Sequence, residues 1–328
     1  MLNSDFKLNK DMFAKPKLAG TRDGFSEGLL SAGRRDRNVV ALAGDLKESV
    51  KMGAFAAEFP ERFFEVGVAE QNLATISAGL GVSGKIPFAA SYAAFSPGRN
   101  WEQIRTTIAY NDANVKLVGS HAGLSTGPDG ATHQMTEDIA LMRALPNMRV
   151  FSPCDVNEAK FLTMAIAHIA GPCYLRLSRE DGLTMTTAAT PFALGKVQSF
   201  FVSKKPACAV FATGPILAEV LAVAERLERE GVDVEVLNVH SIKPLDERGI
   251  ILAAKRAGCV VSVEDHQIAG GLGSAIAEVL SRNLPMPQEF VGVRDAFGES
   301  GAAHELWKKY GLTREHIVSA VKKAISRK

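Results

Sequence analysis

The chain has 328 residues, enough for two domains, and its 46 % hydrophobic and 23 % charged content is ordinary for a soluble globular protein. A formal net charge of +2 lacks the basic excess needed to bind nucleic acid or a membrane surface, so neither partner is expected. The N-terminal stretch MLNSDFKLNKDMFAKPK has no apolar signal-peptide core, and no apolar run is long enough to span a bilayer. Four scattered cysteines (Cys154, Cys173, Cys208, Cys259) lack metal-ligand spacing and suit a reducing compartment. A cytoplasmic location is expected.

From the N-terminus, strand-like and helix-like stretches alternate over the first two thirds of the chain. Val39–Leu42, Phe63–Val68, Ile86–Ala90, Val115–Val118, Arg149–Ser152 and Tyr174–Leu177 read as strands. Helical patterns separate them, among them Gly24–Gly33, Trp101–Tyr110 and Val156–Ala170. Such alternation predicts a mainly parallel sheet covered on both faces. Residues 183–197 lose periodicity, are rich in Thr and Ala and contain Pro191, which reads as an interdomain linker.

A second alternation follows, with strands at Ala207–Ala212, Val234–Asn238 and Cys259–Val263. Its helices fall at Ile216–Glu230, Glu247–Arg256 and Gly273–Arg282, and amphipathic helices at Ala303–Tyr310 and Thr313–Arg327 close the chain. The fold class expected is therefore α/β, in two consecutive domains over residues 1–188 and 189–328. Gly270, Gly271 and Gly273 open a helix without the spacing of a dinucleotide fingerprint, and read as a packing turn.

Chemistry is expected at strand ends. Phe63–Val68 carries one charge, Glu65, and runs into Glu70; residues 71–83 are then small and apolar all round. Glu70 thus stands where a strand expected to be buried becomes a helix expected to be buried. Open α/β sheets bind ligands just beyond the carboxyl ends of their strands. Alone, Glu70 would read as an acid complementing a helix dipole. Four further clusters stand at strand ends: Ser91-Tyr92-Ala93-Ala94-Phe95, Gly119-Ser120-His121, the loop Gly127–Gln134 with Asp129 and His133, and Leu177-Ser178-Arg179. Each has a structural reading singly, Asp129 as a turn acid for instance. Five in succession point to one crevice.

From about residue 18 to its end the chain resembles the C-terminal half of the transketolase family. Val68-Ala69-Glu70-Gln71-Asn72 is similar to the family's segment around its cofactor-activating glutamate. Gly127 to Gln134 is similar to its Gly-x-Asp-Gly-x-Thr-His-Gln loop, and Glu264-Asp265-His266 with Gly270-Gly271-Leu272-Gly273 to its C-terminal domain. The resemblance implies a pyrimidine-binding domain followed by a smaller C-terminal domain, with thiamine diphosphate as cofactor.

By this resemblance Glu70 hydrogen-bonds N1′ of the aminopyrimidine and activates the cofactor, helped by a partly buried site that raises its pKa. Phe95 stacks on the aminopyrimidine and Tyr92 lines its pocket. Tyr92 stands where many relatives have Phe, and a further aromatic of full-length enzymes falls near Pro97–Gly98. His133 contacts substrate hydroxyls and moves protons, while Asp129 binds the C2 hydroxyl of the ketose. Arg22, Ser49, His121 and Arg179 hold the substrate's terminal phosphate. The implied activity is transfer of a two-carbon ketol unit from a ketose phosphate to an aldose, in the pentose phosphate pathway or a dedicated catabolic route.

The family's metal signature, Gly-Asp-Gly with a downstream Asn supplying hard oxygen ligands, does not occur. Arg22-Asp23-Gly24, Pro128-Asp129-Gly130 and Glu180-Asp181-Gly182 all lack its first glycine. The chain begins where a full-length member passes from its first domain into its second. One subunit of a split transketolase is therefore expected, with magnesium and diphosphate ligands on a separate N-terminal subunit. The assembly expected is two copies of each, with this chain forming a homodimer. Alternatives are a deoxyxylulose-phosphate synthase-like or 2-oxoacid dehydrogenase beta-type subunit, and a non-catalytic regulatory or binding subunit. Gly-Ser-His at residues 119–121 favours the transketolase pattern.

Overall fold

The computed structural model describes residues 1–328. Its first strands are β1 (Leu18–Gly20), β2 (Val39–Ala43), β3 (Phe63–Glu65), β4 (Ile86–Tyr92), β5 (Lys116–Ser120), β6 (Arg149–Phe151), β7 (Cys173–Arg176) and β8 (Asp181–Leu183). Then come β9 (Gln198–Phe201), β10 (Cys208–Thr213), β11 (Val234–Asn238), β12 (Ser241–Lys243), β13 (Val260–Gln267) and β14 (Gln288–Val293). A seven-stranded sheet runs in the order β12-β6-β7-β5-β4-β2-β3 and is parallel except for β12. A five-stranded sheet runs in the order β14-β13-β10-β11-β9 and is parallel except for β9. Two mainly parallel α/β sheets in succession are what the alternating pattern predicts.

Each half of the chain sends a segment to the other half's sheet. β12 comes from the second half of the chain and edges the larger sheet. The N-terminus leans the other way: Leu2 bridges Phe201, and the Asn3 N–H donates to the Phe200 carbonyl at 2.9 Å.

β2 shows why the larger sheet forms. Its five residues, Val-Val-Ala-Leu-Ala, are all buried, as a central parallel strand requires. Successive side chains point to opposite faces. Val39 and Ala41 pack with Phe25, Leu29, Phe88 and Ile166, whereas Val40 and Leu42 pack with Leu73, Ile104, Ile108 and Tyr174. On the first face the helices Thr21–Arg35 and Val156–Ala167 touch backbone to backbone. A Cβ at Gly24 would stand 1.9 Å from the Val156 carbonyl oxygen, and one at Gly28 would stand 2.6 Å from the Thr163 Cβ. Only glycine admits that approach.

Three elements differ from the sequence reading. β3 ends at Glu65 and lies at the sheet edge, so Phe64 and Val68 are exposed rather than buried. The helix Glu70–Val82 buries Leu73, Ala74, Ser77 and Ala78 but leaves Gln71, Asn72, Ile76, Gly79 and Val82 exposed. With no strand or helix of this chain beyond the edge, Ile76 and Val82 stand uncovered beside the amides of Gln71 and Asn72. The helix near Trp101–Tyr110 is wound as a π-helix over Ile104–Ala109, a form that recurs beside functional sites. No helix is long and apolar enough to cross a membrane.

Gly24→Ala forces a methyl against a backbone carbonyl and is expected to cost about 1–3 kcal/mol. Gly79→Ala meets nothing within 4 Å and is expected to be neutral or to gain up to about 1 kcal/mol from helix propensity. Urea unfolding midpoints of the two variants, compared with the parent chain, check the contrast.

Candidate active site

The carboxyl ends of β3, β4, β5 and β7 bring the expected clusters to one rim of the larger sheet. β3 and β4 flank β2 on opposite sides, so the chain reverses its direction of growth there, and such a switch point opens a crevice.

Glu70 is the first residue of its helix and only 2 % exposed. Its Oε2 accepts a hydrogen bond from Arg99 Nη1 at 2.8 Å. The Asn100 amide holds the same residue by its main chain, donating to the Glu70 carbonyl at 2.8 Å. Above it stands an aromatic cluster. Tyr92 and Phe95 lie nearly parallel with centroids 6.1 Å apart, and His121 stacks on Tyr92 at 3.8 Å. His133 meets both edge-on, 5.2 Å from Phe95 and 6.2 Å from Tyr92. Such contacts each add about 0.5–1.5 kcal/mol beyond burial.

His121 is buried, follows β5 with a left-handed φ of 56°, and hydrogen-bonds Ser120 Oγ through Nδ1 at 2.8 Å. A non-glycine residue in that region carries strain, and the ring stacks on Tyr92. Burial first, then the positive charges of Arg22, Arg179 and His133, push its pKa down to about 3. His121 is therefore a neutral hydrogen-bonding group.

Arg22, Ser49 and Arg179 also meet. Arg22 Nη1 donates to the Ser49 carbonyl at 2.8 Å and Nη2 to the Arg179 carbonyl, while its Nε is buried without a partner. Burial lowers the Arg22 pKa. Arg179 Nη1 donates to the Thr126 carbonyl at 3.0 Å and pairs with Glu180 at 3.3 Å. Asp129 alone stands apart, exposed at the lip of the Leu124–Asp129 turn four residues before His133. A separate cavity of about 680 Å³ lies between the two sheets, bounded by Arg176, Asp265, Trp307 and Arg314, and of the expected site residues only Arg179 reaches it.

Sequence reasoning missed Arg99 and Asn100. The signal for Arg99 was its being the single charge in Ser91–Asn100, four residues beyond Phe95 and so one turn away if the chain coils. The glycine segment is a packing turn: a Cβ at Gly271 would lie 2.1 Å from Glu264 Oε2. That carboxylate accepts N–H bonds from Leu272 and Gly273, and burial pushes its pKa up to about 7.

Residues 18–183 match the family profile described as transketolase, pyrimidine binding domain, and residues 199–317 match transketolase, C-terminal domain. The chain belongs to the transketolase family. Among its relatives is the 6-deoxy-6-sulfo-D-fructose transketolase subunit of Clostridium sp., 39 % identical over 98 % of this chain and 99 % of that protein. Another is an apulose-4-phosphate transketolase subunit of Phocaeicola vulgatus, 35 % identical over 90 % of this chain and 94 % of that one. A solved structure described as a split gene transketolase, inactive beta4 tetramer, superposes with a TM-score of 0.88 at 42 % identity, covering 94 % and 99 % of the two chains.

His121 and His266, the latter held down to about 4 mainly by burial, are neutral when folded and protonate near the ordinary value of 6.5 when unfolded. The unfolded chain binds more protons below that value, so both histidines withdraw stability as pH falls through the window below about 6.5. In histidine ring NMR their signals are expected to stay in the neutral position from about pH 8 to pH 5. A His121 midpoint near 6.5, assigned with His121→Asn, would contradict the buried cationic surroundings described above.

Proposed function

We propose that this chain is one subunit of a split transketolase, moving a two-carbon ketol unit from a ketose phosphate to an aldose with thiamine diphosphate and magnesium. The observation that carries the reading is the meeting, at one switch point of a transketolase-family sheet, of a buried carboxylate, a pair of parallel aromatic rings and a cationic cluster. The chain is read as dividing at residues 188 and 189 into pyrimidine-binding and C-terminal domains.

The residues present fit the aminopyrimidine half of that cofactor. Glu70 offers a buried acceptor beside the face of Phe95, and two buried polar atoms nearby, Ser91 Oγ and Asn100 Oδ1, have no partner. A flat heterocycle carrying N–H groups suits such a wall. Glu70 would hold the ring's N1′, with Phe95 and Tyr92 against its faces. Thiamine diphosphate, when bound, supplies the nucleophilic carbon that carries the two-carbon unit.

The remaining roles follow from charge and exposure. His133, half-buried at the edge of Phe95 and hydrogen-bonded to Thr132 Oγ1 at 2.8 Å, is placed to bind substrate hydroxyls and to move a proton. Asp129, on the same loop, reaches the C2 hydroxyl. Arg22 and Arg179, with Ser49 and neutral His121, hold the terminal phosphate of the ketose. Charge-assisted hydrogen bonds of this kind contribute roughly 1.5–3 kcal/mol each, so the remote end of the substrate fixes its reacting carbonyl.

Diphosphate and metal ligands come from a separate N-terminal subunit. No group of three or more His, Cys, Asp or Glu side chains is gathered here to hold a metal ion. The uncovered face beside Glu70, with Val68 70 % and Val82 67 % exposed, supports an assembly in which another chain packs there. Two copies of each subunit, with this chain paired to itself, accommodate two sites.

In the reconstituted two-subunit enzyme, Glu70→Gln is expected to lower ketol transfer by at least about 100-fold, the low end for loss of an acid–base group. Unchanged turnover would mean the subunit is regulatory, and turnover with pyruvate but not with a ketose phosphate would mean a 2-oxoacid enzyme. Calorimetric titration of thiamine diphosphate and magnesium is expected to give binding to the mixture of subunits and none to this chain alone. Tight binding to the isolated chain would remove the need for a partner.

A further inference from the structure

We propose that Arg99 is a built-in placeholder for the cofactor's aminopyrimidine, occupying its site in the empty subunit and competing with it for entry. This rests on the thiamine diphosphate reading. Two contacts carry it. Arg99 Nη1 donates to Glu70 Oε2 at 2.8 Å, and the same guanidinium carbon lies 4.8 Å from the centroid of the Phe95 ring. A guanidinium is flat, delocalised and rich in N–H donors, and it stacks on aromatic faces. An aminopyrimidine hydrogen-bonded to Glu70 and stacked on Phe95 uses the same acceptor and the same ring. The two groups therefore compete for the carboxylate and for the ring.

The need for a placeholder follows from burial. Glu70 is 2 % exposed, and Arg99 is the side chain that donates to its carboxylate; the neighbouring Asn100 amide goes instead to the main-chain carbonyl and to Ser96 Oγ. A carboxylate shielded from water without a donor is strongly disfavoured. Arg99 removes that cost while the site is empty.

The means of release is also present. The backbone of Arg99 is fixed, its N–H donating to the Phe95 carbonyl at 3.0 Å, whereas its side chain is 51 % exposed. The guanidinium can therefore swing into solvent without unfolding the turn that carries Phe95. Competition of this kind weakens apparent cofactor affinity by the fraction of time the site is free.

The test uses Arg99→Gln, which stays polar but is two heavy atoms shorter and loses the cation and the fork. In the assembled enzyme, titrated with thiamine diphosphate and magnesium, Arg99→Gln is expected to bind about 10-fold more tightly than wild type, as removal of a 90 % occupied competitor would give. In the cofactor-free chain the same variant is expected to lower Tm by about 2–4 °C, and that drop is expected to vanish in a Glu70→Gln background, where no charge remains to be paired. Equal or weaker cofactor binding by Arg99→Gln, beside normal binding by wild type, overturns the placeholder while leaving the cofactor reading intact. Absence of binding to the wild-type assembly overturns the cofactor reading, and the placeholder with it.

Discussion

The loop that carries Asp129 and His133 hangs from one buried carboxylate on the other sheet. Asp265, near the end of β13, accepts N–H bonds from Leu124 at 3.0 Å and Ser125 at 3.3 Å, and its Oδ2 also receives Trp307 Nε1 at 3.2 Å. The Asp265 carbonyl takes Arg176 Nη2 at 2.7 Å, and Arg176 in turn pairs with Asp138, which accepts the Tyr174 hydroxyl as well. Burial pushes the Asp265 carboxyl up, and Arg176 with the loop N–H groups pulls it back. Asp138, Tyr174, Arg176 and Asp265 are all buried, where a charge survives only if paired and a broken pair costs about 3–5 kcal/mol. The two sheets therefore cannot shift against each other without displacing the loop that carries Asp129 and His133. The C-terminal sheet contributes no residue to the crevice, but it fixes the residues that do.

That anchoring produces a site with two electrostatic ends. At one end burial, reinforced by the neighbouring Arg22 and Arg179, keeps His121 neutral. Arg22 already spends two donors on main-chain carbonyls and still leaves Nε unpartnered. Like charges held together in a partly desolvated rim repel unless an anion joins them, which is how such rims select phosphorylated ligands. At the other end one buried carboxylate faces an aromatic wall.

Much of this was legible in the sequence because each clue was local. Strand ends are marked by an apolar run giving way to polar or aromatic residues, and β4 into Tyr92, β5 into His121 and β7 into Arg179 all follow that rule. The parallel class of both sheets is legible from Val39–Ala43 and Cys208–Thr213, which are apolar at nearly every position rather than at every second one. What was not legible depends on distance. β12 joins a sheet whose nearest strand, β6, is about 90 residues away in sequence, and three residues of edge strand have no periodicity of their own. Arg99 was missed because it stands in a turn and its partner, Glu70, lies 29 residues earlier at the start of a helix. The exposure of Phe64 and Val82 was also misjudged, since composition records how apolar a segment is and not whether its own chain supplies the cover.

That last discrepancy bears on how the site is completed. The helix Glu70–Val82 is largely apolar on all sides, yet its own chain buries only the face with Leu73, Ala74, Ser77 and Ala78. β3, which precedes it, is a sheet edge bearing exposed Phe64, and an uncovered apolar edge is a liability that proteins normally cap or pair. Both uncovered surfaces belong to the two elements that bracket Glu70, so whatever covers them also sets the water content around its carboxylate. Excluding water there strengthens every electrostatic contact the carboxylate makes. Packing of another chain on this face would therefore act directly on the Glu70 carboxylate and on its pair with Arg99.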